Sequence, residues 1–193
     1  MKKLHYLVLI AIAFIVSNCD TNDDRFYNEV SIEATNLVTL DAHSTIYSVG
    51  EKLYVNADFS RYLNDNGIPL DAYRTTNATQ FFFSYVIEKQ INATTWESVV
   101  VNDNQLDIVK GIAQSDIYVY GICQYNPTDE SYEYRVGFPL LSSGTYRLSW
   151  GYNSDSKTSV ELRSISSARN LFLNINSTVT GVDTNGFYNF TVN

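Results

Sequence analysis

The sequence predicts an all-β fold built as an antiparallel β-sandwich, and three observations support this prediction. Aromatic residues that suit pleated strands are frequent, with 15 tyrosines and 10 phenylalanines among 193 residues, whereas there are only three prolines. Apolar and polar residues alternate with a period of two over many short segments. Asn, Asp, Ser and Gly separate these segments, as expected for turns between strands. Many short strands without intervening helices favour two packed sheets.

A β-hairpin is predicted in the middle of the chain. The segments QFFFSYVIEKQI (80–91) and WESVVV (96–101) flank NATT, a short link with turn-forming residues. Two apolar runs separated by such a link are typical of adjacent antiparallel strands.

Two further segments predict strands with one buried and one solvated face. Their alternation places one set of apolar residues together, and these are Tyr132, Tyr134, Val136 and Phe138 in ESYEYRVGF and Tyr146, Leu148 and Trp150 in TYRLSWGY. Glu133, Arg135 and Arg147 fall on the opposite faces. We therefore expect the first set in the core and the charged set at the surface.

The remaining segments bring the expected number of strands to nine or ten. Strands are predicted near 30–40 and 53–59, and SVELRSI and LFLNIN continue the alternation. In the last segment, Asn185-Gly186 is a preferred dipeptide for a two-residue turn and predicts a closing hairpin.

One segment does not alternate. In NQLDIVKGIAQ, Leu106, Val109, Ile112 and Ala113 have helix-like spacing, which Gly111 interrupts. This segment is expected to form a short helix or an irregular crossover.

The N-terminus has the pattern of an export signal. Two lysines precede an apolar run from Leu4 to Val16, which is too short for the roughly 20 residues of a spanning helix but matches a signal peptide. Residues 1–18 are therefore expected to be removed. Residues 19–28 are expected to form an acidic tether, and 29–193 a single β-sandwich domain.

The end of this signal, VSNC, resembles the lipobox of bacterial lipoproteins. The resemblance implies that the Cys19 sulfur receives a diacylglyceryl group and that the freed amine is acylated, for example with palmitate. Such acyl chains would anchor the chain stably in a membrane. Asn18 departs from the usual small residue before the cut, and an ordinary secretory signal with an incidental cysteine remains the alternative.

The acidic segment DTNDD after Cys19 bears on localisation. It resembles the export signal of Bacteroidota-type lipoproteins, which implies an outer-membrane protein that faces the cell exterior. In enterobacterial sorting an aspartate at this place would instead favour retention at the inner membrane, so a periplasmic orientation stays open. The segments YSVGEKLYVNADFS and LLSSGTYRLSWGY resemble strand pairs in the immunoglobulin-like modules of such lipoproteins, and this resemblance implies an immunoglobulin-like sandwich without a known activity.

The charge and the side chains available for catalysis exclude several function classes. The net charge of −8 argues against binding nucleic acid phosphates. After removal of the signal, His43 is the remaining imidazole, and Cys123 has no partner for an intramolecular disulfide, which predicts a buried free thiol. Zinc motifs are absent, and the Asn/Asp segments at 64–67 and 102–107 are interpreted as turns and not calcium loops. We therefore expect no cofactor, no metal and no enzymatic activity.

Three function classes remain. The first is a binding or adhesion module for a glycan or protein at the cell surface, and the second is an assembly subunit of an outer-membrane complex. A glycoside hydrolase is a minor alternative, because two carboxylates from distant strands suffice for that chemistry. Its candidate carboxylates are Glu88, Glu97, Asp129 and Glu133.

A row of tyrosines is the candidate binding site. If Val119 and Cys123 face the core, a period of two places Tyr118 and Tyr120 on the other face of the strand, with Tyr125 just past its end. Tyrosine rings stack on sugar rings while their hydroxyls form hydrogen bonds, so this row is a candidate glycan platform. The alternative is that the rings pair with cross-strand neighbours and only stabilise the sheet.

Overall fold

The computed structural model describes residues 28–41, 44–150, 156–165 and 171–193. These residues form an all-β structure with one short helix, α1 (Ala72–Thr76), and a 3-10 turn at Asp103–Gln105. The strands are β1 (Asn28–Thr35), β2 (Val38–Leu40), β3 (Ile46–Tyr47), β4 (Lys52–Ser60), β5 (Tyr62–Asp65), β6 (Ile68–Asp71), β7 (Gln80–Gln90), β8 (Trp96–Ser98), β9 (Asp107–Lys110), β10 (Ile112–Ser115), β11 (Val119–Asn126), β12 (Ser131–Pro139), β13 (Gly144–Ser149), β14 (Ser159–Ile165), β15 (Leu171–Thr178) and β16 (Tyr188–Val192).

Fourteen of the strands in these ranges form one large curled sheet, which has two arms joined by β7. The larger arm has the order β1-β15-β14-β7-β11-β12-β4-β2, with β10 beside β11 and β9 beside β12. The smaller arm contains β8, the end of β7, β13, β16 and β3. Residues 80–85 of β7 pair within the larger arm and residues 86–90 within the smaller one. Strand β7 therefore connects the two arms through its own backbone.

The core lies against the inner face of both arms. The predicted core residues of β12 and the β13 region are all buried, from Tyr132 to Phe138 and from Tyr146 to Trp150 at every second position. The same period buries Phe81, Phe83 and Tyr85 of β7. Cys123 is a free, fully buried cysteine, as predicted.

Two hairpins agree with the turn residues of the sequence. Strands β7 and β8 pair in antiparallel fashion across the predicted NATT link. Strands β5 and β6 pair across Asn66 and Gly67, which both have positive φ, as a two-residue turn of this kind requires. The Asn/Asp segment at 64–67 is therefore a turn.

The predicted helix in NQLDIVKGIAQ is wrong, because Gly111 joins two short strands there. Strands β11 and β12 pair only where residues 124–126 lie beside residues 131–133, and beyond these residues the two strands separate and form a fork in the sheet. In the fork, β10 pairs with β11 and β9 pairs with β12. Gly111 sits where the fork opens, with φ +78°, and a Cβ atom there would lie 2.6 Å from the Ile122 carbonyl oxygen. The helix-like spacing does not mark a buried face, because Val109 and Ile112 are exposed while Leu106 is buried.

Three other expectations need correction. The described residues contain sixteen strands and not nine or ten. The segment 30–40 contains two strands, and the short strands β3, β5, β6, β9 and β10 form where the sequence predicted none. The sheet is not purely antiparallel, since β1 runs parallel to β15 and β3 runs parallel to β16. Asn185 and Gly186 lie in a turn, but the Gly186 N–H donates to the Asp183 carbonyl oxygen and only Gly186 has positive φ, so this is not the predicted two-residue turn. Strand β16 pairs with β13 and not with β15, so the closing hairpin is also wrong. Long-range partners, and not local turns, determine these pairings.

The predicted signal, Cys19, the tether up to residue 27 and His43 lie outside the described residues. Within the ranges that the structure does describe, no helix has the length and apolar character needed to cross a membrane.

Candidate functional site

The hairpin of β10 and β11 places the predicted tyrosines on the outer face of the sheet. Val119 and Cys123 are buried on the inner face, whereas Tyr118 is 43% exposed and Tyr120 is half-buried. The backbone N–H of Asp116 donates to the Tyr118 carbonyl oxygen at 2.9 Å, which closes the turn between the strands. Alternation along β11 therefore presents both tyrosines away from the core, as the sequence predicts.

Both tyrosines line an open cleft of about 540 Å³. Its lining consists of aromatic and polar residues from the hairpin and the preceding 3-10 turn, namely Asp103, Gln114, Ser115, Asp116, Tyr118 and Tyr120. This volume falls in the range of small-molecule sites.

The aromatic wall of the cleft is supported by the neighbouring strand β7. The Tyr120 ring stacks on the Phe82 ring with their centroids 5.7 Å apart and an interplanar angle of 26°. Burial, and then the nearby Tyr118, raise the pKa of Tyr120 above its ordinary value. The stacked Phe82 ring supports the Tyr120 ring, which is only half-buried.

Hydrogen bonds fix the polar wall of the cleft. The Ser115 backbone N–H donates to Asp103 Oδ1 at 2.7 Å, and the Val101 N–H donates to Ser115 Oγ at 3.4 Å. These bonds tie the 3-10 turn to β10. The side chains of Gln114 and Asp116 have no hydrogen-bond partner among the described residues, so their polar atoms are available to a ligand.

Tyr125 is not part of this cleft. It lies within β11 and not past its end. Because it is two residues from Cys123, it points to the same face of the strand as the buried residues and packs against the core. Its ring stacks on Tyr73 with a centroid distance of 4.5 Å, and its hydroxyl accepts a hydrogen bond from Arg61 Nη1 at 3.3 Å. Arg61 also forms a two-point ion pair with Asp71. At about 3.3 Å per residue, Tyr125 is on the order of 17 Å along the strand from Tyr120.

Of the four carboxylates considered for glycoside hydrolysis, only Asp129 and Glu133 lie close together, because both accept from the Asn126 side chain. Glu88 accepts from Arg147 Nε at 2.6 Å, and Glu133 pairs with Lys110 Nζ at 2.8 Å. Asn126 Nδ2 donates to Asp129 Oδ2 at 2.8 Å and to Glu133 Oε1 at 3.4 Å. Glu97 lies on the short strand β8. These four carboxylates are distributed over three places in the fold.

The other groups considered for catalysis are the Cys123 thiol and possible metal ligands. Burial raises the pKa of the Cys123 thiol far above its ordinary value, so the reactive thiolate is suppressed. No cluster of three or more His, Cys, Asp or Glu side chains there could hold a metal ion.

Sequence reasoning missed four residues that line the cleft, namely Asp103, Gln114, Ser115 and Asp116. It also missed Phe82, which supports Tyr120 without lining the cleft. Phe82 and Gln114 belong to strands adjacent to β11, where Gln114 pairs with Tyr120 and Phe82 with Ile122. Only the register of the sheet reveals this neighbourhood. Asp103 lies in the Asn/Asp segment at 102–107, whose composition indicated a turn but not its position beside the tyrosines.

No protein-family model matches the chain, and no curated protein matches it. A function is therefore inferred from the cleft itself.

Proposed function

We propose that the chain is a non-catalytic binding module that recognises neutral glycans at the cell surface, attached to the outer membrane through lipid on Cys19. The observation that carries the proposal is the cleft that contains Tyr118 and Tyr120. An exposed aromatic ring beside unpaired polar side chains is the combination that a sugar needs, because a sugar has an apolar C–H face and a rim of hydroxyls.

The charge of the cleft favours a neutral ligand. Its lining includes two carboxylates, Asp103 and Asp116, and no cationic side chain. Carboxylates accept hydrogen bonds from sugar hydroxyls but repel anionic sugars. The Gln114 amide adds both a donor and an acceptor.

The test is a screen of the mature domain against immobilised neutral oligosaccharides, with Tyr118→Ala plus Tyr120→Ala as the variant. Loss of two stacking contacts is expected to weaken binding of any hit by at least roughly tenfold, the equivalent of about 1.4 kcal/mol. Tyr62→Ala is the matched control, because Tyr62 is 55% exposed but lies on β5, outside the cleft. Equal binding by the double variant, or an equal loss with Tyr62→Ala, would refute this site.

Glycoside hydrolysis is the second candidate, since Asp103 and Asp116 bring two carboxylates to one cleft. Incubation of a bound oligosaccharide with the protein, followed by chromatography, separates the two functions. We expect the oligosaccharide to be recovered intact, whereas products that disappear with Asp116→Asn would establish a hydrolase.

Attachment to the membrane rests on the lipobox resemblance of VSNC. Cys19→Ser is expected to abolish incorporation of labelled palmitate and to release the chain from the membrane fraction. Equal labelling of this variant would rule out Cys19 as the lipid site.

An assembly subunit of an outer-membrane complex is the third candidate. Exposed aliphatic side chains near the fork favour it, among them Ile108, Val109 and Ile112. Such residues are common at protein interfaces when they form a continuous patch. A partner that co-purifies from membranes and is lost on Val109→Ser would favour assembly over glycan binding.

The immunoglobulin-like sandwich remains our proposal for the fold family. It is supported by Tyr146, whose hydroxyl donates to the Ser142 carbonyl oxygen at 2.7 Å near the start of β13. A tyrosine that bonds back to the backbone at a strand corner is a hallmark of Greek-key sandwiches.

A further inference from the structure

We infer that a second pocket, on the smaller arm, binds the carboxylate group of a small ligand. The pocket has a volume of about 360 Å³ and is separate from the tyrosine cleft. Its lining includes Glu88, Arg147, Trp150, Lys157 and Phe187.

Arg147 is the centre of this pocket. Its guanidinium lies between two aromatic rings, with Cζ 4.0 Å from the centroid of Phe187 and 4.3 Å from that of Trp96. Arg147 Nε donates to Glu88 Oε2 at 2.6 Å. The rings and Glu88 fix the plane of the guanidinium, which makes it a preorganised donor.

The outer edge of this guanidinium is free. The Nη1 and Nη2 groups have no hydrogen-bond partner among the described residues, while Glu88 occupies Nε. Two parallel N–H groups on one planar edge match the two oxygens of a carboxylate. The Trp150 Nε1–H, in the same lining, is also buried without a partner in the described chain.

Charge and shape select a monoanion with a flat body. Arg147 and Lys157 contribute two positive charges and Glu88 contributes one negative charge, so the pocket has one net positive charge. The single negative charge of a carboxylate neutralises it, whereas a doubly charged phosphate would leave it negative. Trp150 and Phe187 supply aromatic walls for a ring or an aliphatic body.

The turn that carries Phe187 is rigid. Asp183 Oδ1 accepts from the backbone N–H groups of Asn185 and Phe187, and Oδ2 accepts from Asn189 Nδ2. Gly186 lies so close to Lys157 that a Cβ atom would be 2.0 Å from the Lys157 carbonyl oxygen. The backbone at Phe187 and at Lys157 is therefore held in place beside the pocket before a ligand arrives.

The pocket contains its own optical probe, because the two tryptophans of the chain are Trp96 and Trp150. Sodium glucuronate is the test ligand, and glucuronamide is its neutral control of the same shape. We expect saturable quenching or a spectral shift with glucuronate and none with glucuronamide or with sodium chloride at equal ionic strength. Absence of a saturable response to glucuronate, or an equal response to glucuronamide, overturns the inference.

Variants assign the response to Arg147. Arg147→Lys keeps the charge but loses the planar edge, and we expect affinity to fall about tenfold, as for loss of one strong hydrogen bond. Lys157→Gln, which changes an exposed residue, is expected to weaken binding a few-fold without affecting the fold. Arg163→Gln is the control, because Arg163 also packs on an aromatic ring, Phe172, and pairs with Glu29, but lies outside the pocket.

Two outcomes separate this site from the others. Tyr118→Ala plus Tyr120→Ala should leave the glucuronate response unchanged. A negative result for glycan binding at the tyrosine cleft therefore does not decide whether the Arg147 pocket binds a carboxylate. If Arg147→Lys and Arg163→Gln alter the response equally, Arg147 is only a structural contact and the inference is wrong.

Discussion

The two faces of β7 and β11 contain the same types of side chain in different roles. On the inner face, Tyr85 is fully buried, and its hydroxyl lies 3.1 Å from the hydroxyl of Tyr134. On the outer face of the same strands, Tyr120 stacks on Phe82, and its hydroxyl has no hydrogen-bond partner among the described residues. The inner hydroxyls satisfy each other and stabilise the core, whereas the outer hydroxyl is available to a ligand. The chemistry of a tyrosine in this sheet thus depends on its face.

This difference also appears in the acidity of the tyrosines. Burial is the main reason that the pKa values of Tyr85 and Tyr134 are raised far above the ordinary 10.0, and it also raises that of Tyr132. Tyr120 shows a raised pKa as well, but it remains partly exposed. The inner tyrosines are therefore held in the neutral form by the fold.

Alkaline pH should produce the largest effect and sharpen the comparison. Because the pKa of the inner tyrosines is raised by folding, their stabilising contribution is complete below the ordinary value of 10.0 and is lost as the pH rises above it. We expect unfolding at strongly alkaline pH, followed by circular dichroism, with a late tyrosinate absorbance step that coincides with it.

The same titration also tests the burial of the inner tyrosines. A single absorbance step for all tyrosines, well before loss of the β signal, would show that the inner face admits hydroxide and would contradict the burial of Tyr85.

A change at the fork between β11 and β12 should have the next largest effect. Gly111→Ala places a methyl group against the Ile122 carbonyl oxygen and forces a non-glycine residue into positive φ. Left-handed strain of about 1–2 kcal/mol and overpacking of about 1–3 kcal/mol predict a loss of roughly 3 kcal/mol in the free energy of unfolding. Urea denaturation measures this loss.

Gly67→Ala is the matched control for this prediction. Gly67 also has positive φ, at +92°, but nothing lies within 4 Å of the position of its Cβ. Only the backbone strain of about 1 kcal/mol should appear there. Equal losses for the two variants would mean that the close contact at the fork costs nothing.

The sequence predicted the features of these faces that depend on neighbouring residues in the chain. Alternation alone separates Val119 and Cys123 from Tyr118 and Tyr120, because successive side chains in any strand point to opposite faces. It also predicts the buried set of β12, from Tyr132 to Phe138. The all-β class follows from many such segments.

Features that depend on distant residues were not predictable in this way. Neighbours across the sheet, such as Phe82 below Tyr120, follow from a register between strands that are about forty residues apart. The parallel pairing of β1 with β15 involves segments from opposite ends of the described chain. The helix-like spacing around Gly111 wrongly predicted a helix, because the sheet forks there and the backbone contacts leave no room for a side chain.

The smallest effect on stability should come from the outer face itself. Tyr118→Ala plus Tyr120→Ala removes one ring that is 43% exposed and one that stacks on Phe82. An aromatic cross-strand contact contributes about 0.2–1 kcal/mol, so the double variant should lose about 1 kcal/mol and much less than Gly111→Ala. Tyr120→Phe, which keeps the ring and removes only a hydroxyl without a partner, should unfold at the same urea concentration as the unchanged protein. A loss of 3 kcal/mol or more, on the order of that for a buried aromatic ring, would place Tyr120 in the core and make the two faces equivalent.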